Sequence, residues 1–433
     1  MAGTEKGKTV EKILILHRHK IASRSYPERK RQAFPFSTKL QRRKTSAMLN
    51  NLPSIKTALS AIQLPAGNRT VQLVCASFSF VLFYFLILHF RILRPDLMAH
   101  IQISEDMMRF GEIPGHPLFF ILLQALSFFS GKTEVQLFAA WLIFSSATWL
   151  KMHYSVKITE YFTQKPISWM FLMVLLMLQL AVPIPKNGFF IISQLSFNYF
   201  HNGTLTLALP LALMMFLEVL RFDEDGKPTR LYRLFFLGFV SVLIKPSFLF
   251  CLIPCFPLFT LHRHGMGMRL LKALQISTLL SFLLILQSLY FQHFPPSYLK
   301  EFHLVFKPFY LFGSIGNHFR MILHGFGIGI VLFALQGTSL WKDPRITFLL
   351  GMVLLGYFLS FFFYDVSGGI PFPDMTWQTV MVNYLAVLVL STMVLHRNLF
   401  SWQGMLVLLM IFAHFLAGLR YLYDASFIRS FFI

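Results

Sequence analysis

Charged residues are scarce in this sequence: Asp, Glu, Lys and Arg make up 13% of its 433 residues. A soluble globular domain carries about a quarter charged residues, so the composition argues against one. Hydrophobic residues reach 55%, with 51 Phe and 20 Met. Several apolar runs approach the roughly 20 residues that a helix needs to cross about 30 Å of hydrocarbon. The composition therefore predicts an integral membrane protein with several spans.

Several structural and catalytic signatures are also missing. Ten-residue segments of alternating polarity are absent, which argues against a transmembrane β-barrel, so the apolar runs should be helices that pair their own backbone groups. No Walker phosphate loop, HExxH, GxSxG or CxxC motif occurs. The three cysteines, Cys75, Cys251 and Cys255, lie in apolar runs. We interpret them as packing residues that form no disulfide.

The N-terminal region carries the densest charge. Residues 1–47 hold 13 of the 39 Lys and Arg against three acids, nearly half of the net charge of +21. The stretch has no apolar core before a cleavage site, as a signal peptide would. We expect residues 1–70 to form a basic, disordered cytoplasmic tail that is attracted to anionic lipid headgroups. An alternative is that translation starts at Met48.

Eleven apolar segments are candidate spans within a single polytopic domain, residues 71–433. They are 71–90, 135–152, 168–185, 204–220, 233–246, 247–261, 270–291, 321–337, 346–364, 380–396 and 404–423. The segment 117–130 is also apolar, but its 14 residues would extend only about 21 Å as a helix. Whether it crosses decides the orientation of every later span.

The distribution of Lys and Arg between the two faces of the membrane indicates that segment 117–130 does not cross it. With a cytoplasmic N-terminus, thirteen Lys and Arg beyond residue 150, Lys151 among them, then lie inside, and seven lie outside or near the outer face. Crossing would invert this ratio, against the positive-inside rule. We therefore predict an all-α membrane fold of about 11 transmembrane helices plus a non-spanning juxtamembrane helix, with the C-terminus outside. The region 233–261 could instead be a re-entrant pair.

This topology places four long segments on the outer face, where a site is expected. They are 91–134, 186–203, 292–320 and 365–379. In the first, Asp96 and His100 are four residues apart and would share one face of a helix. A carboxylate held there could act as a general base. A solvated, charged loop is the alternative interpretation.

The order of residues in this first loop resembles a known family. Asp96, a helix-like stretch, Gly111-Glu-Ile-Pro114 and His116-Pro117-Leu-Phe-Phe are similar to the first outer loop of the GT-C superfamily of glycosyltransferases, which use lipid-phosphate-linked sugars. There, an acidic residue follows the first span and a Pro-containing turn leads into a juxtamembrane helix that does not cross. The chain departs from the pattern in having a single Asp96 rather than two adjacent acids, and Leu118 rather than a second Pro.

Two later stretches also resemble uncharacterised bacterial members of this superfamily. They are Phe200-His201-Asn202-Gly203-Thr204 and Ile244-Lys245-Pro246-Ser247. The resemblance implies a mannosyltransferase-like enzyme with a polyprenyl-phosphate sugar donor and a glycan, lipid or protein acceptor. Asp96 would be the catalytic residue. Candidate substrate-binding residues are His100, Asp106, His116, Arg91, Arg94, Lys245, Asn198, His201 and Asn202.

Each of the basic and amide candidates also has a structural interpretation. Lys and Arg at the outer headgroup level would hold the phosphate of the donor, but Arg91 and Arg94 could simply anchor a span at the interface. Lys245, inside a hydrophobic run, would face a cavity or a partner, or extend to the surface. Asn202 could bind sugar hydroxyls or cap the following helix.

Other functions stay open on the sequence alone. They are a transporter or lipid flippase, an O-antigen polymerase or ligase, and a non-catalytic assembly protein. A transporter would more naturally show paired, interrupted helices in matching positions. No cofactor is defined, although Asp96, Asp106 and His116 could hold a divalent cation in a spacing that matches no known ligand set. We expect no nucleic-acid partner and a location in the bacterial inner membrane, with the endoplasmic reticulum as the alternative.

Overall fold

This computed structural model describes residues 63–64, 69–89, 94–114, 116–182, 202–294, 303–310, 315–337, 342–367, 370–372, 374–397 and 399–427. The predicted tail up to residue 62 lies outside the described residues, as do the candidate site residues Arg91, Asn198 and His201. For Arg94 and Asp96 the helical backbone is described and the side chains are not.

Thirteen α-helices account for most of the described residues. They are α1 Arg69–Phe83, α2 Arg94–Phe110, α3 Pro117–Leu126, α4 Thr133–Thr163, α5 Trp169–Leu180, α6 Gly203–Asp225, α7 Pro228–Ile244, α8 Ser247–His264, α9 Met268–His293, α10 Ile315–Gln336, α11 Pro344–Phe362, α12 Trp377–Arg397 and α13 Trp402–Phe427. A π-helical stretch, Tyr84–His89, continues α1, and a 3-10 helix, Asp374–Thr376, precedes α12.

Two small antiparallel sheets accompany the helices, which the prediction of an all-helical fold did not include. In the first, β1 Gln63–Leu64 pairs with β2 Ile167–Ser168. In the second, β4 Phe363–Ser367 lies between β3 His303–Phe306 and β5 Ile370–Phe372. Both sheets lie in connections between helices, so the fold remains predominantly helical.

Each of the eleven predicted spans overlaps one of these helices, namely α1 and α4–α13. Within the described residues, six helices are long and apolar enough to cross a membrane: α1 with its π-helical continuation, α6, α9, α11, α12 and α13. The bent helix α10 is a seventh if its two halves form one span. The structure is therefore that of a multi-pass helical membrane protein with six or seven candidate spans.

The predicted span 168–185 is too long at its C-terminal end. Helix α5 stops at Leu180, and Ala181 takes an extended conformation with φ −65° and ψ 129°. Pro183 follows two residues later, and proline disfavours a helical conformation in the residue before it. The backbone N–H of Val182 instead donates to the carbonyl oxygen of His414 in α13, at 3.1 Å.

Helices α1 and α4 run antiparallel, and this fixes the path of the chain between them. The indole nitrogen of Trp141, early in α4, donates to the carbonyl oxygen of Phe80, late in α1. His153, later in α4, contacts Gln72 near the start of α1. The segment that carries α2 and α3 therefore leaves and returns at the same end of this helix pair. With ten residues, α3 is about 15 Å long, half the thickness of a hydrocarbon core.

The later long helices also alternate in direction along the chain. Ser155 and Thr159 of α4 contact Tyr384 and Thr392 of α12, so these two helices are parallel. Helices α6 and α7 are joined by the tight turn after Gly226, whose φ of 63° ends α6. Helices α8 and α9 likewise form a hairpin around Gly265.

The bundle thus has two distinct ends, which we call the Lys245 end and the Asp223 end. The Lys245 end holds α2, α3, the three-stranded sheet and the described parts of the four long connections. The Asp223 end holds the short connections, including 226–227 and 265–267. The two ends differ in chemistry as well as in loop length, as described below.

Helix α12 forms the centre of the bundle, since every side chain from Trp377 to Thr392 is buried. Lys151 of α4 packs against it, with Nζ 4.0 Å from the centroid of the Tyr384 ring. Lys151 was predicted to lie in a cytoplasmic loop, and this is wrong. The side chain is buried because α4 continues to Thr163, eleven residues beyond the predicted end of this span.

Substitution of Tyr384 by Phe is expected to destabilise this centre. The Tyr384 hydroxyl contacts Ser155 Oγ at 2.9 Å and accepts from Gln179 Nε2 at 2.9 Å. Hydrogen bonds between membrane helices contribute about 1 kcal/mol each, so the loss should be about 1–2 kcal/mol. Unfolding in detergent measures it. Tyr232→Phe, at a side chain that is 73% exposed, is the control, and equal stability of both variants would contradict the prediction.

Candidate functional site

The candidate catalytic residue lies on α2, at the Lys245 end. Asp96 is in the first turn of this helix, and His100 follows one turn later. Leu97, Ile101 and Ser104 form the buried face of α2, so the helix rests on the bundle along one side. The structure thus places Asp96 on a regular helix beside the bundle rather than in an irregular loop.

His100 is held by the aromatic side chains of α3. Its imidazole lies nearly parallel to the ring of Phe120, with centroids 5.9 Å apart, and meets the edge of Phe119 at 5.5 Å. One turn further along α2, Ser104 Oγ accepts from Gln124 Nε2 at 2.9 Å. These contacts join α2 to α3, so the two short helices form one positioned unit.

His116, the residue before α3, connects this unit to the later helices. Its Nδ1 lies 3.0 Å from Nε2 of Gln287 in α9, and the same amide donates to the carbonyl oxygen of Val242 in α7 at 2.8 Å. The edge of Phe291 packs on the imidazole at 5.9 Å. Gln287 was not among the predicted site residues, although a glutamine in the apolar run 270–291 was a usable signal.

Lys245 is buried at the point where α7 ends. Its backbone is extended, with ψ 110°, as the following Pro246 requires. The side chain is only 9% exposed, and Nζ lies 5.0 Å from the centroid of the Trp377 ring at the start of α12. Of the two sequence interpretations, extension to the surface is therefore wrong, and a contact inside the bundle is right. A cation on an indole face is a favourable pair.

Asn202 caps α6, as one of its two interpretations stated. Its side-chain oxygen accepts from the backbone N–H of Leu205 at 2.9 Å and from the hydroxyl of Thr204 at 3.0 Å. Gly203 follows, and a Cβ at this position would overlap the ring of Phe144. The start of α6 is thereby packed against α4, close to Phe119 of α3.

The acidic residues of this end differ in their surroundings. Asp106 is half-buried on α2 and has no polar partner among the residues that the structure describes. Glu105 accepts from Gln136 of α4 at 3.4 Å. Asp365 is buried in β4, between Leu304 of β3 and Phe372 of β5. No strand was predicted at Asp365, and the sequence carries no signal of its burial.

The structure therefore places His100, His116, Lys245 and Asn202 at the same end of the bundle, beside α3, the start of α6 and the end of α7. No group of three or more His, Cys, Asp and Glu that could hold a metal ion occurs among the described residues. All three cysteines are free and buried. The chemistry available at this end is that of the carboxylates of α2 and β4, two imidazoles and a buried ammonium.

The opposite end is dominated by ion pairs. Asp223 of α6 is buried, and its carboxylate accepts from Arg263 Nε at 3.1 Å and lies 2.7 Å from His264 Nε2. Arg269 donates to the backbone oxygen of Asp223 at 2.7 Å. Arg263 and His264 lie in the last turn of α8, and their side chains reach the Asp223 carboxylate while remaining partly exposed to solvent.

Comparison with known protein families, curated proteins and solved structures yields no match to this chain.

Proposed function

We propose that this protein is a membrane glycosyltransferase of the GT-C type that transfers a sugar from a lipid-phosphate donor to an acceptor hydroxyl at the Lys245 end. One observation carries the proposal. The first long apolar helix is followed by an amphipathic helix that bears Asp96 and by the ten-residue α3, and the chain then returns to the same end. This is the arrangement that the sequence resemblance implies.

The proposed reaction is a direct displacement. Asp96 takes the proton of the acceptor hydroxyl, whose oxygen attacks the anomeric carbon while the bond from that carbon to the donor phosphate breaks. The lipid phosphate leaves with the bonding electrons, and a cation stabilises its charge. Lys245 suits this role because its ammonium is already withdrawn from bulk solvent at the same end.

His100 and His116 would orient the sugar or the phosphate. Both imidazoles pack on aromatic rings that hold them in place, and a positioned donor costs little reorganisation during the reaction. His116 is also joined through Gln287 to Val242, three residues before Lys245. The candidate residues of α2, α3 and α7 are thus linked by direct contacts.

We further propose that all eleven helices α1 and α4–α13 cross the bacterial inner membrane, with the N-terminus in the cytoplasm and the C-terminus outside. The alternation of helix direction supports this assignment. The Asp223 end then faces the cytoplasm, and its connections and the adjoining helical turns carry Lys165, Lys227, Arg230, Arg263 and Arg269, as the positive-inside rule requires.

Transfer of radiolabelled mannose from undecaprenyl-phosphate mannose to a membrane lipid extract tests the function. The purified full chain in liposomes should transfer the sugar, and Asp96→Asn should lower the rate at least 100-fold. Lys245→Met should also lower it, and Lys245→Arg should restore part of the rate because the charge is kept. Glu134→Gln, at an exposed carboxylate of the same end, is the control. An Asp96→Asn rate equal to that of Glu134→Gln, or no transfer of mannose by the unaltered chain, would overturn the proposal.

A further inference from the structure

A cavity of about 410 Å³ opens at the Asp223 end, away from the proposed transferase site. Its walls come from the C-terminal ends of α4, α6 and α8 and from the start of α11, so four helices build it. The volume falls within the range of about 300–1,000 Å³ that is typical of small-molecule sites. Nothing in the sequence analysis indicated a site here.

Most charges in the cavity wall are neutralised by one another. Arg263 pairs with Asp223 at 3.1 Å. Arg345 pairs with Asp343 at 2.7 Å, and a second guanidinium nitrogen donates to the same carboxylate at 2.9 Å. These two pairs fix the walls and leave little charge for a ligand.

One negative and one positive side chain in the cavity wall take no part in these ion pairs. Glu224 and Lys342 both line the cavity, both are exposed, and neither forms an ion pair with another described residue. Glu224 accepts a hydrogen bond from the Tyr161 hydroxyl at 2.5 Å. The Tyr161 hydroxyl thereby holds the carboxylate in position.

We propose that the cavity binds a zwitterionic headgroup in which a phosphate is joined to a primary ammonium. The ammonium lies against Glu224, and the phosphate lies against Lys342. A ligand with only one sign of charge would leave the other wall group uncompensated, whereas phosphoethanolamine matches both. The proposal concerns a different end of the bundle from the transferase site and stands independently of it.

The position of the cavity favours a membrane lipid as the source of the headgroup. It lies at the helix ends, where a headgroup layer would meet the bundle. Phosphatidylethanolamine carries a phosphate joined to a primary ammonium and is anchored in the adjoining hydrocarbon layer by its acyl chains.

Lipid binding to the purified full chain in detergent, measured by native mass spectrometry, tests the proposal. Phosphatidylethanolamine should bind at least tenfold more tightly than phosphatidylglycerol, which lacks the ammonium. Glu224→Gln and Lys342→Gln should each remove most of this preference. Lys227→Gln is the matched control, an exposed cation of the same end outside the cavity wall.

Each alternative outcome contradicts a particular part of the proposal. Equal binding of the two lipids, or tighter binding of phosphatidylglycerol, would assign the cavity to anions and overturn it. Unchanged selectivity in both cavity variants would place the lipid elsewhere. Binding of soluble phosphoethanolamine without binding of the lipid would overturn the lipid assignment. Sugar transfer is measured separately, so failure of one proposal leaves the other intact.

Discussion

Replacement of Asp223 by Ala is expected to lower the free energy of unfolding by about 3 kcal/mol, near the lower limit for breaking a buried ion pair. The carboxylate is 4% exposed and contacts Arg263 and His264. Its removal leaves two basic groups of α8 facing each other without their acid. The side chain of Arg263 is 39% exposed, and water can solvate it in the variant, so the loss should not reach the upper part of the range.

A matched substitution on the same helix separates burial from charge. Asp225→Ala also removes an acid near the end of α6, but the side chain of Asp225 is more exposed and pairs with Lys227 and Arg230, which are themselves partly exposed. Surface pairs of this kind contribute about 0–1 kcal/mol. Chemical unfolding of both variants in detergent measures the difference, and a double-mutant cycle with Arg263→Ala isolates the pair itself. Equal destabilisation by the two substitutions would show that Asp223 acts only through net charge.

Gly418→Ala is expected to be similarly damaging, for a steric reason. A Cβ at residue 418 of α13 would overlap the carbonyl oxygen of Leu180 at the end of α5. The two backbones are held at this distance by the hydrogen bond from Val182 to His414. Small residues permit such close helix contacts in membranes. Overpacking costs about 1–3 kcal/mol. The upper value applies here because the new methyl group would meet a backbone carbonyl, which cannot move aside as a side chain can.

Gly351→Ala is the control for this substitution. Its Cβ would lie 3.9 Å from Cys255 Sγ, an ordinary contact. Alanine is favoured over glycine in a helix by up to about 1 kcal/mol, so this variant should be as stable as the unaltered chain or more so. Thermal unfolding and the yield of folded protein in detergent compare the two. A Gly418→Ala protein as stable as Gly351→Ala would show that α5 and α13 separate easily.

The sequence was most informative where hydrophobicity alone decides the structure. All eleven apolar runs became helices, because an apolar run of this length must pair its own backbone groups. Their lengths were less predictable. Helix α4 extends to Thr163 through Lys151 and Lys157, charges that hydropathy treats as the end of a span. Contact of the Lys151 ammonium with the Tyr384 ring offsets part of the cost of burying this charge. Tyr384 lies far from Lys151 in the sequence.

The candidate site was predictable in outline only. A lysine followed by proline in an apolar run indicated that Lys245 is special, but its contact with Trp377 depends on tertiary packing between α7 and α12. The linkage of His116 to Gln287 likewise joins residues 171 positions apart. At the other end, Asp223 and His264 each belong to a short polar segment, and nothing in the sequence indicated that they pair. Their pairing follows from the side-by-side position of α6 and α8.

The two-stranded sheet of β1 and β2 joins segments that are synthesised at different times. Gln63 and Leu64, before α1, pair with Ser168 and Ile167, before α5. The two strands are separated by about one hundred residues, which include α1 to α4. Strand β1 therefore has no strand to pair with while the ribosome is still making α1. The sheet can form only after the chain has been made beyond α4, so all of the first four helices are synthesised before the N-terminal strand has a partner.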